Sequence, residues 1–289
     1  MFPLRFPLKP TRSPGHPWGR LHPVPPLAGS SAPRENTKQE NLVDFPGGAG
    51  RQLHVVPQFA PGFDIAGANG SACETGNRFF DFVPMPDGCL GIGLGNVRGQ
   101  GLEAAVARAL TRASLCSFAT MGLDVGEVLT RVNQVLSQSE GPCCVDMLLL
   151  RLHPLGRFFA FAGAGPMPGF LLGATGNVER VLDGTRSPLG ALRKAKFFSS
   201  EEIAIPTEGI VLLVTDGLRR AGIADGSEMG AERALAYVST HLQDHARQLV
   251  EGLCRTAGWD DEIASVVVKA DPEPDIREDA VSEQDAEAA

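Results

Sequence analysis

The hydrophobic and polar positions of this chain change from strand-like to helical spacing, and back again, in an order that predicts a mixed fold. Apolar residues dominate 63–69 and 78–85, and the Pro-Asp-Gly turn at 86–88 predicts a hairpin into a strand over 89–97. Apolar residues then recur every three or four positions, which predicts a helix with one apolar stripe: Leu102, Ala105, Val106, Ala109, Leu110 and Ala113.

A second helix is predicted directly afterwards. Asp124 is a good N-cap with Glu127 three residues on, and an apolar stripe follows at Val128, Leu129, Val132 and Leu136. The rest of the chain favours strands over 144–152, 157–163, 169–173, 177–182, 201–206 and 209–217, then helices over 231–242 and 246–258, and a last strand over 263–270.

This order lacks the regular strand–helix alternation of a doubly wound sheet. The sequence therefore predicts an α+β fold with two mainly antiparallel sheets packed face to face and flanked by helices, a four-layer αββα sandwich. We expect residues 51–270 to form this one domain. The Pro-rich residues 1–50 and the acidic tail 271–289 are expected to be disordered, since neither can bury enough apolar surface.

Composition narrows the class of protein. The chain is 43% hydrophobic with a net charge of −8, and its middle stays acidic after the basic first 40 residues and the acidic tail are set aside. An acidic domain argues against nucleic-acid binding, and no apolar run reaches the ~20 residues of a membrane span. The N-terminus lacks the apolar core of an export signal. We therefore expect a cytoplasmic protein with buried, reduced cysteines, Cys89 and Cys116 among them.

The Gly-rich stretch 91–101, GIGLGNVRGQG, fits neither common phosphate loop. Its glycines do not match G-x-G-x-x-G, and the chain contains no Gly-Lys dipeptide for a P-loop. Carboxylates at strand ends carry more information. Asp216 follows an apolar strand, and Asp260, Asp261 and Glu262 precede the last one, where hard oxygen ligands suit Mg²⁺ or Mn²⁺. The alternative is that these acids only stabilise turns or cap neighbouring elements.

Taken in order, these stretches resemble the metal-dependent (PPM, type 2C) protein phosphatases, in their bacterial SpoIIE/RsbU-like branch. The resemblance covers nearly all of the ordered chain. It rests on PGFDIAGAN (61–69), GNRFFDFVPMPDGCLGIGLGNVRGQGLEAA (76–105), VLTRVNQVL (128–136), AGAGPMPGFLL (162–172), where that branch usually has a His, LDGTRSPLGAL (182–192), VTDGLRRAGIADGSEMGAERAL (214–235) and DDEIASVVV (261–268).

The resemblance implies two Mg²⁺ or Mn²⁺ ions in a cleft at one edge of a β-sandwich. A water bridging the ions would attack a phosphoserine or phosphothreonine, because the ions lower its pKa and neutralise the phosphoryl oxygens. It also implies a partner of the anti-anti-sigma type, a small regulatory protein of a partner-switching pathway.

Two of the four metal positions carry other residues in this chain. The Asp of the Gly-Gly-Asp-aromatic-aromatic-Asp stretch is Arg78, and the bridging Asp of Gly-Asp-Val-x-Gly-x-Gly is Asn96. A slip of one residue would put Asn77 at the first position, which is still an amide. An amide offers one neutral oxygen and a guanidinium cannot ligate a metal.

Asp216 and Asp261 keep the other two metal positions, with Glu262, Asp81 and the Val97 carbonyl as candidate accessory groups. Asp81 is expected to be structural or to lie in the outer shell. We expect the Arg78 guanidinium to pair with Asp216 or Asp261, standing where a metal ion stood.

Three hypotheses follow from these departures. The domain is a pseudophosphatase that binds a regulatory (phospho)protein without efficient hydrolysis; or it is an active, altered phosphatase that holds one Mn²⁺ through Asp216, Asp261 and Glu262; or it has another chemistry or a purely structural role.

Overall fold

The structure is a computed structural model and describes residues 41–44, 52–71, 76–139, 144–215, 229–256 and 263–272. The predicted disordered segments lie almost wholly outside these ranges, so they stay predictions. Within the described ranges the chain forms twelve strands and four helices. The strands are β1 Asn41–Asp44, β2 Gln52–Ala60, β3 Phe63–Ser71, β4 Arg78–Pro84, β5 Leu90–Arg98, β6 Cys144–His153, β7 Phe158–Ala164, β8 Gly169–Leu172, β9 Val178–Leu182, β10 Ile203–Ala204, β11 Ile210–Val214 and β12 Ile263–Ala270.

The four helices are α1 Gly101–Ala119, α2 Val125–Leu136, α3 Met229–Thr240 and α4 Ala246–Thr256. None of the helices in the described ranges combines the length and apolar character needed to cross a bilayer.

The strands form two antiparallel sheets that pack face to face, which confirms the predicted sandwich. One sheet has the order β1-β2-β3-β12-β11-β8-β9 and the other β10-β7-β6-β5-β4. Inward residues of both sheets, such as Leu94, Leu148, Leu213 and Val266, share one buried core. Helices α1 and α2 cover the outer face of the five-stranded sheet, and α3 and α4 cover the other sheet. The described elements therefore build four layers.

Alternation along β5 explains its glycines. Leu90, Ile92 and Leu94 enter the core between the sheets, while the glycines alternate to the other face, where Gly93 lies beside Leu115 of α1. A side chain at Gly95 would overlap the ring of Phe79. The glycines that precede the turn thus give room to packing side chains, and phosphate binding is not needed to explain them.

The predicted helix is confirmed as α1, with Leu110 of its apolar stripe packed against the core, but the stripe is not buried as a whole. Leu102 is 80% exposed and Val106 56%, whereas Ala104, Ala107 and Leu115 are buried. Small residues on the buried face let the helix approach the Gly-rich strand β5, and Leu115 fills the space beside Gly93. The close approach of α1 to β5 therefore determines which face of the helix is buried. Hydrophobic spacing within the helix does not determine it.

The cysteine prediction holds only in part. Cys89 and Cys254 are buried, but Cys116 is exposed on α1. Burial raises the pKa of Cys254 to about 12, so this thiol stays protonated and serves packing.

Asp124 caps α2 as predicted. Its carboxylate accepts hydrogen bonds from the backbone N–H groups of Gly126 (2.9 Å) and Glu127 (3.0 Å). We expect Asp124→Ala to lower the free energy of unfolding by about 1 kcal/mol, because two first-turn donors lose their acceptor. Urea denaturation measures this loss. Asp124→Asn, which keeps a capping oxygen, should retain most of the stability, and an equal loss in both variants would contradict the capping role.

Candidate functional site

Three side chains lie in a row across the neighbouring strands β4, β5 and β6. Arg78 pairs with Asn96, and Asn96 pairs with Asp146. Cross-strand partners point to the same face of a sheet. The next inward pair along the same strands is Leu94 and Leu148, which lie in the core between the sheets. The row therefore lies on the inner face of the five-stranded sheet, at the end of the sandwich.

Asp146 forms a bidentate ion pair with Arg98 that the sequence analysis missed. Arg98 donates from Nε to Oδ2 and from Nη2 to Oδ1, both at 2.8 Å. The Asp146 side chain is only 5% exposed, whereas that of Arg98 is 48% exposed. The sequence did carry a signal. Asp146 is the one acid between Val145 and the apolar stretch MLLL (147–150), and an acid in a buried strand needs a partner.

The turn after β7 fits closely around Asp146. Gly165 adopts a left-handed conformation with φ 78°, and a side chain there would overlap the Asp146 carboxylate. This is the small-residue turn in which the resembling phosphatases usually have a His. The Asp146 carboxylate therefore fills the space that a side chain at position 165 would need, and only glycine fits there.

The seven-stranded sheet places the end of β11 and the start of β12 at the same end of the sandwich. Thr215 and Ala264 exchange two hydrogen bonds of 3.0 Å, from Thr215 N–H to the Ala264 carbonyl and from Ala264 N–H to Thr215 Oγ1. Ala264 pairs with Asn69, and the Asn69 amide donates to the Arg78 carbonyl at 3.0 Å. Arg78 thus starts its strand beside the ends of β11 and β12.

Asp216, Asp261 and Glu262 lie outside the described residues. Their assignment as metal ligands and the pairing of Arg78 with one of the two aspartates therefore stay predictions. Arg78 itself is partly buried, and its Nε atom is inaccessible to solvent. A buried guanidinium cannot lose its proton, so this position keeps a permanent positive charge.

Neighbouring backbone groups hold the turn after β5. The Asn77 side-chain amide donates to the Gly99 carbonyl at 2.6 Å, and the Asn77 backbone carbonyl accepts from the Val97 N–H at 2.9 Å. Arg108 of α1 donates to the Gly76 carbonyl at 2.5 Å. These contacts hold the turn after β5 and the residues that precede Arg78 on β4. A ligand role for the Val97 carbonyl stays a prediction.

Asp81 belongs to a different contact. Its carboxylate accepts from Arg112 Nε at 2.7 and 2.9 Å, and its side chain is 11% exposed. This hydrogen bond raises the pKa of Arg112. Asp81 therefore joins β4 to α1, and an accessory role for it at a metal site stays a prediction.

The described part of the site is mixed in charge. The row presents a cation, a neutral amide and an acid that Arg98 already neutralises. Among the described residues, no three His, Cys, Asp or Glu side chains are grouped so that they could hold a metal. A bridging position needs two charged oxygens, and Asn96 offers one neutral oxygen. Asp216, Asp261 and Glu262 lie outside the described residues, so metal binding by the complete site stays a prediction.

Comparison with protein families gives one match across this region. Residues 86–271, more than half of the chain, match the family model described as stage II sporulation protein E (SpoIIE). The match includes the turn at Asn96, the strand of Asp146 and the last strand.

Solved structures show the same fold at low sequence identity. The RsbU and RsbW domains of Rv1364c from Mycobacterium tuberculosis are 24% identical with a TM-score of 0.62, covering 74% of this chain and 63% of that one. The chain thus spans less than two thirds of that structure. The SiaA-PP2C domain of Pseudomonas aeruginosa is 23% identical with a TM-score of 0.58, covering 68% of this chain and 80% of that one.

RsbX in complex with magnesium is a third relative in fold. It is 13% identical with a TM-score of 0.58, and the match covers 75% of this chain and 99% of that chain. At such identities the likeness shows the fold alone.

Proposed function

The chain belongs to the SpoIIE family, and on that premise we propose that its PP2C-type domain is a pseudophosphatase that binds a regulatory phosphoprotein without efficient hydrolysis. The observation that carries this proposal is the row Arg78, Asn96 and Asp146 on the inner face of the five-stranded sheet. The family resemblance puts metal-binding acids at the first two of these positions. A guanidinium and an amide take their place here.

Charge decides between binding and hydrolysis. Exchanging two carboxylates for a guanidinium and an amide makes the site more positive by three charges. That exchange removes two ligands for Mg²⁺ or Mn²⁺ and favours the phosphoryl anion itself. Hydrolysis needs an activated water, which the family obtains from its metal ions. The same exchange thus removes the means of cleavage and keeps attraction for the phosphorylated partner.

The partner class follows from the relatives. One similar structure contains RsbU and RsbW domains together, and another concerns the bacterial stressosome. We extend this to a regulatory protein of the anti-anti-sigma type for the present chain, in the cytoplasm. Such a partner would present a phosphorylated serine or threonine to the cleft.

An active phosphatase is the second candidate, and one observation favours it. The two hydrogen bonds between Thr215 and Ala264 join the strand ends that lead to Asp216 and come from Asp261. Asp216, Asp261 and Glu262 would offer oxygen ligands for one Mn²⁺. That candidate predicts weak, metal-dependent turnover of phosphoserine or phosphothreonine.

Turnover of p-nitrophenyl phosphate in millimolar Mn²⁺ separates the two candidates. We expect the full chain to show no turnover above that of the Asp216→Ala variant, because two of the four ligand positions cannot hold a metal. Calorimetric titration with Mn²⁺ accompanies the assay. Metal-dependent turnover that disappears in Asp216→Ala would instead establish the altered phosphatase.

A further inference from the structure

One edge of the seven-stranded sheet is a strand with exposed side chains of both signs of charge. β9 pairs with β8 on one side and is the last strand in the order of that sheet. Its first four residues, VERV (178–181), are all exposed, and Val178 and Val181 are 42% and 47% accessible to solvent. In the described part of the chain, neither Glu179 nor Arg180 has an ion-pair partner. The backbone of such an edge can pair with a further strand.

The charges of this edge determine which strand can pair with it. Side chains directly opposite each other in an antiparallel pair attract when their charges differ and repel when their charges match. An antiparallel copy of VERV, centred between Glu179 and Arg180, puts each Glu179 opposite an Arg180 and each Val178 opposite a Val181. The segment is therefore complementary to itself, as an interface between two identical copies requires.

A β-bulge makes this register possible. In a regular strand the side chains alternate between the two faces, so a twofold pairing has to be centred on a residue. It would then set Arg180 against Arg180 or Glu179 against Glu179. In β9 the register shifts between Leu171 and Leu172, whose partners are Arg180 and Val178, so that Glu179 is the extra residue.

The register shift also brings the two valines to one face of the sheet. Val178 pairs with Leu172 and Val181 with Phe170, and both partners lie in the buried cluster that α3 and α4 cover. Cross-strand partners point to the same face, so Val178 and Val181 share that face. Val181 also lines a cavity of about 620 Å³ together with Phe170 and Leu235. The Val178 of a second copy would bury apolar surface beside this cavity.

We propose that two copies of this chain pair through antiparallel β9 strands, with Glu179 of each copy opposite Arg180 of the other. The two seven-stranded sheets then continue into each other across a twofold axis. The same charges repel a strand that sets a like charge opposite them, which makes the edge selective for its own copy. This pairing does not depend on the proposed function, because β9 carries none of the candidate site residues.

Sedimentation equilibrium of the full chain at increasing concentration tests the pairing. We expect a reversible dimer whose Kd rises at least about tenfold in Glu179→Arg and in Arg180→Glu, because the twofold axis makes each substitution replace two attractive pairs by two repulsive ones. Both side chains are exposed, so the Tm of each variant should stay close to that of the unchanged chain. A monomeric unchanged chain, or a dimer that neither substitution weakens, would overturn the proposal.

The charge-swap variant Glu179→Arg/Arg180→Glu tests the register. It keeps the net charge and again puts opposite charges together, so it should dimerise as well as the unchanged chain does. The two single variants should also form a heterodimer when they are mixed, because two arginines of one copy then face two glutamates of the other. If either combination failed to restore the dimer, the register centred between Glu179 and Arg180 would be wrong.

Glu201→Arg is the matched control. Glu201 is exposed, but it precedes β10 of the five-stranded sheet. This substitution changes the net charge by the same amount as Glu179→Arg, and it should leave the Kd of the dimer unchanged. An equal weakening in both variants would assign the effect to net charge and overturn the pairing at β9.

Discussion

The double variant Arg78→Asp/Asn96→Asp is expected to bind Mn²⁺ at least about tenfold more tightly than the unchanged chain and to gain metal-dependent turnover. Each substitution supplies a carboxylate at a position where the family resemblance puts one, and affinity for hard cations rises with the number of charged oxygen ligands. The two positions are cross-strand partners, so the two new carboxylates would face one volume. Calorimetry with Mn²⁺ and release of p-nitrophenol measure the two effects.

Arg78→Asn is the control for this gain. It removes the positive charge and adds no carboxylate, so it should improve Mn²⁺ binding less than the double variant does. If Arg78→Asn restored turnover by itself, removal of a blocking cation would be the whole effect. If the double variant bound no Mn²⁺, the substituted positions would not be the cause of inactivity, and the pseudophosphatase argument would lose its basis.

Arg98 limits the turnover that the double variant Arg78→Asp/Asn96→Asp can gain. Its guanidinium lies two residues from position 96, although Asp146 neutralises most of its charge at 2.8 Å. We therefore expect turnover to stay below that of a phosphatase with its acids in place.

The sequence was sufficient for the elements whose pattern is local. The cap at Asp124, the hairpin at 86–88 and the last strand over 263–270 all depend on neighbouring residues, and the structure has each of them. The sandwich followed from their order along the chain. Short-range chemistry and hydrophobic spacing decide such features.

The parts that failed depend on contacts between distant segments. The face of α1 that is buried was set by the glycines of β5, and spacing within the helix does not contain that information. The partner of Asp146 lies 48 residues away along the chain, so the sequence marks Asp146 as an acid in an apolar strand but does not identify its partner. Register across β4, β5 and β6 placed Arg78, Asn96 and Asp146 in one row, and only the folded sheet fixes that register.

Gly163→Ala is expected to lower the free energy of unfolding by about 3 kcal/mol. A Cβ at position 163 would lie 2.5 Å from the Gly184 Cα and 3.1 Å from its nitrogen. These are backbone atoms, so no side-chain rotation relieves the overlap. The loop at 184–187 would have to move away from β7.

That movement would reach the candidate site. Gly163 accepts a hydrogen bond from the Thr185 N–H at 3.0 Å, and the Gly165 N–H donates to the Ser187 carbonyl at 3.0 Å. The loop therefore holds the turn that fits around Asp146. We expect Gly163→Ala to disturb the ion pair between Asp146 and Arg98 as well as the fold, since the Asp146 carboxylate packs against this turn.

Gly122→Ala separates packing from backbone conformation. Gly122 has φ 71°, and a Cβ there would meet nothing within 4 Å, so only the left-handed conformation is penalised, at about 1 kcal/mol. Thermal unfolding of both variants measures the contrast, which should reach several degrees in Tm because about 1 kcal/mol shifts Tm by roughly 2–4 °C in a domain of 150–250 residues. Equal shifts in the two variants would mean that the loop yields freely, and the close approach of Gly163 and Gly184 would then not hold the turn beside Asp146.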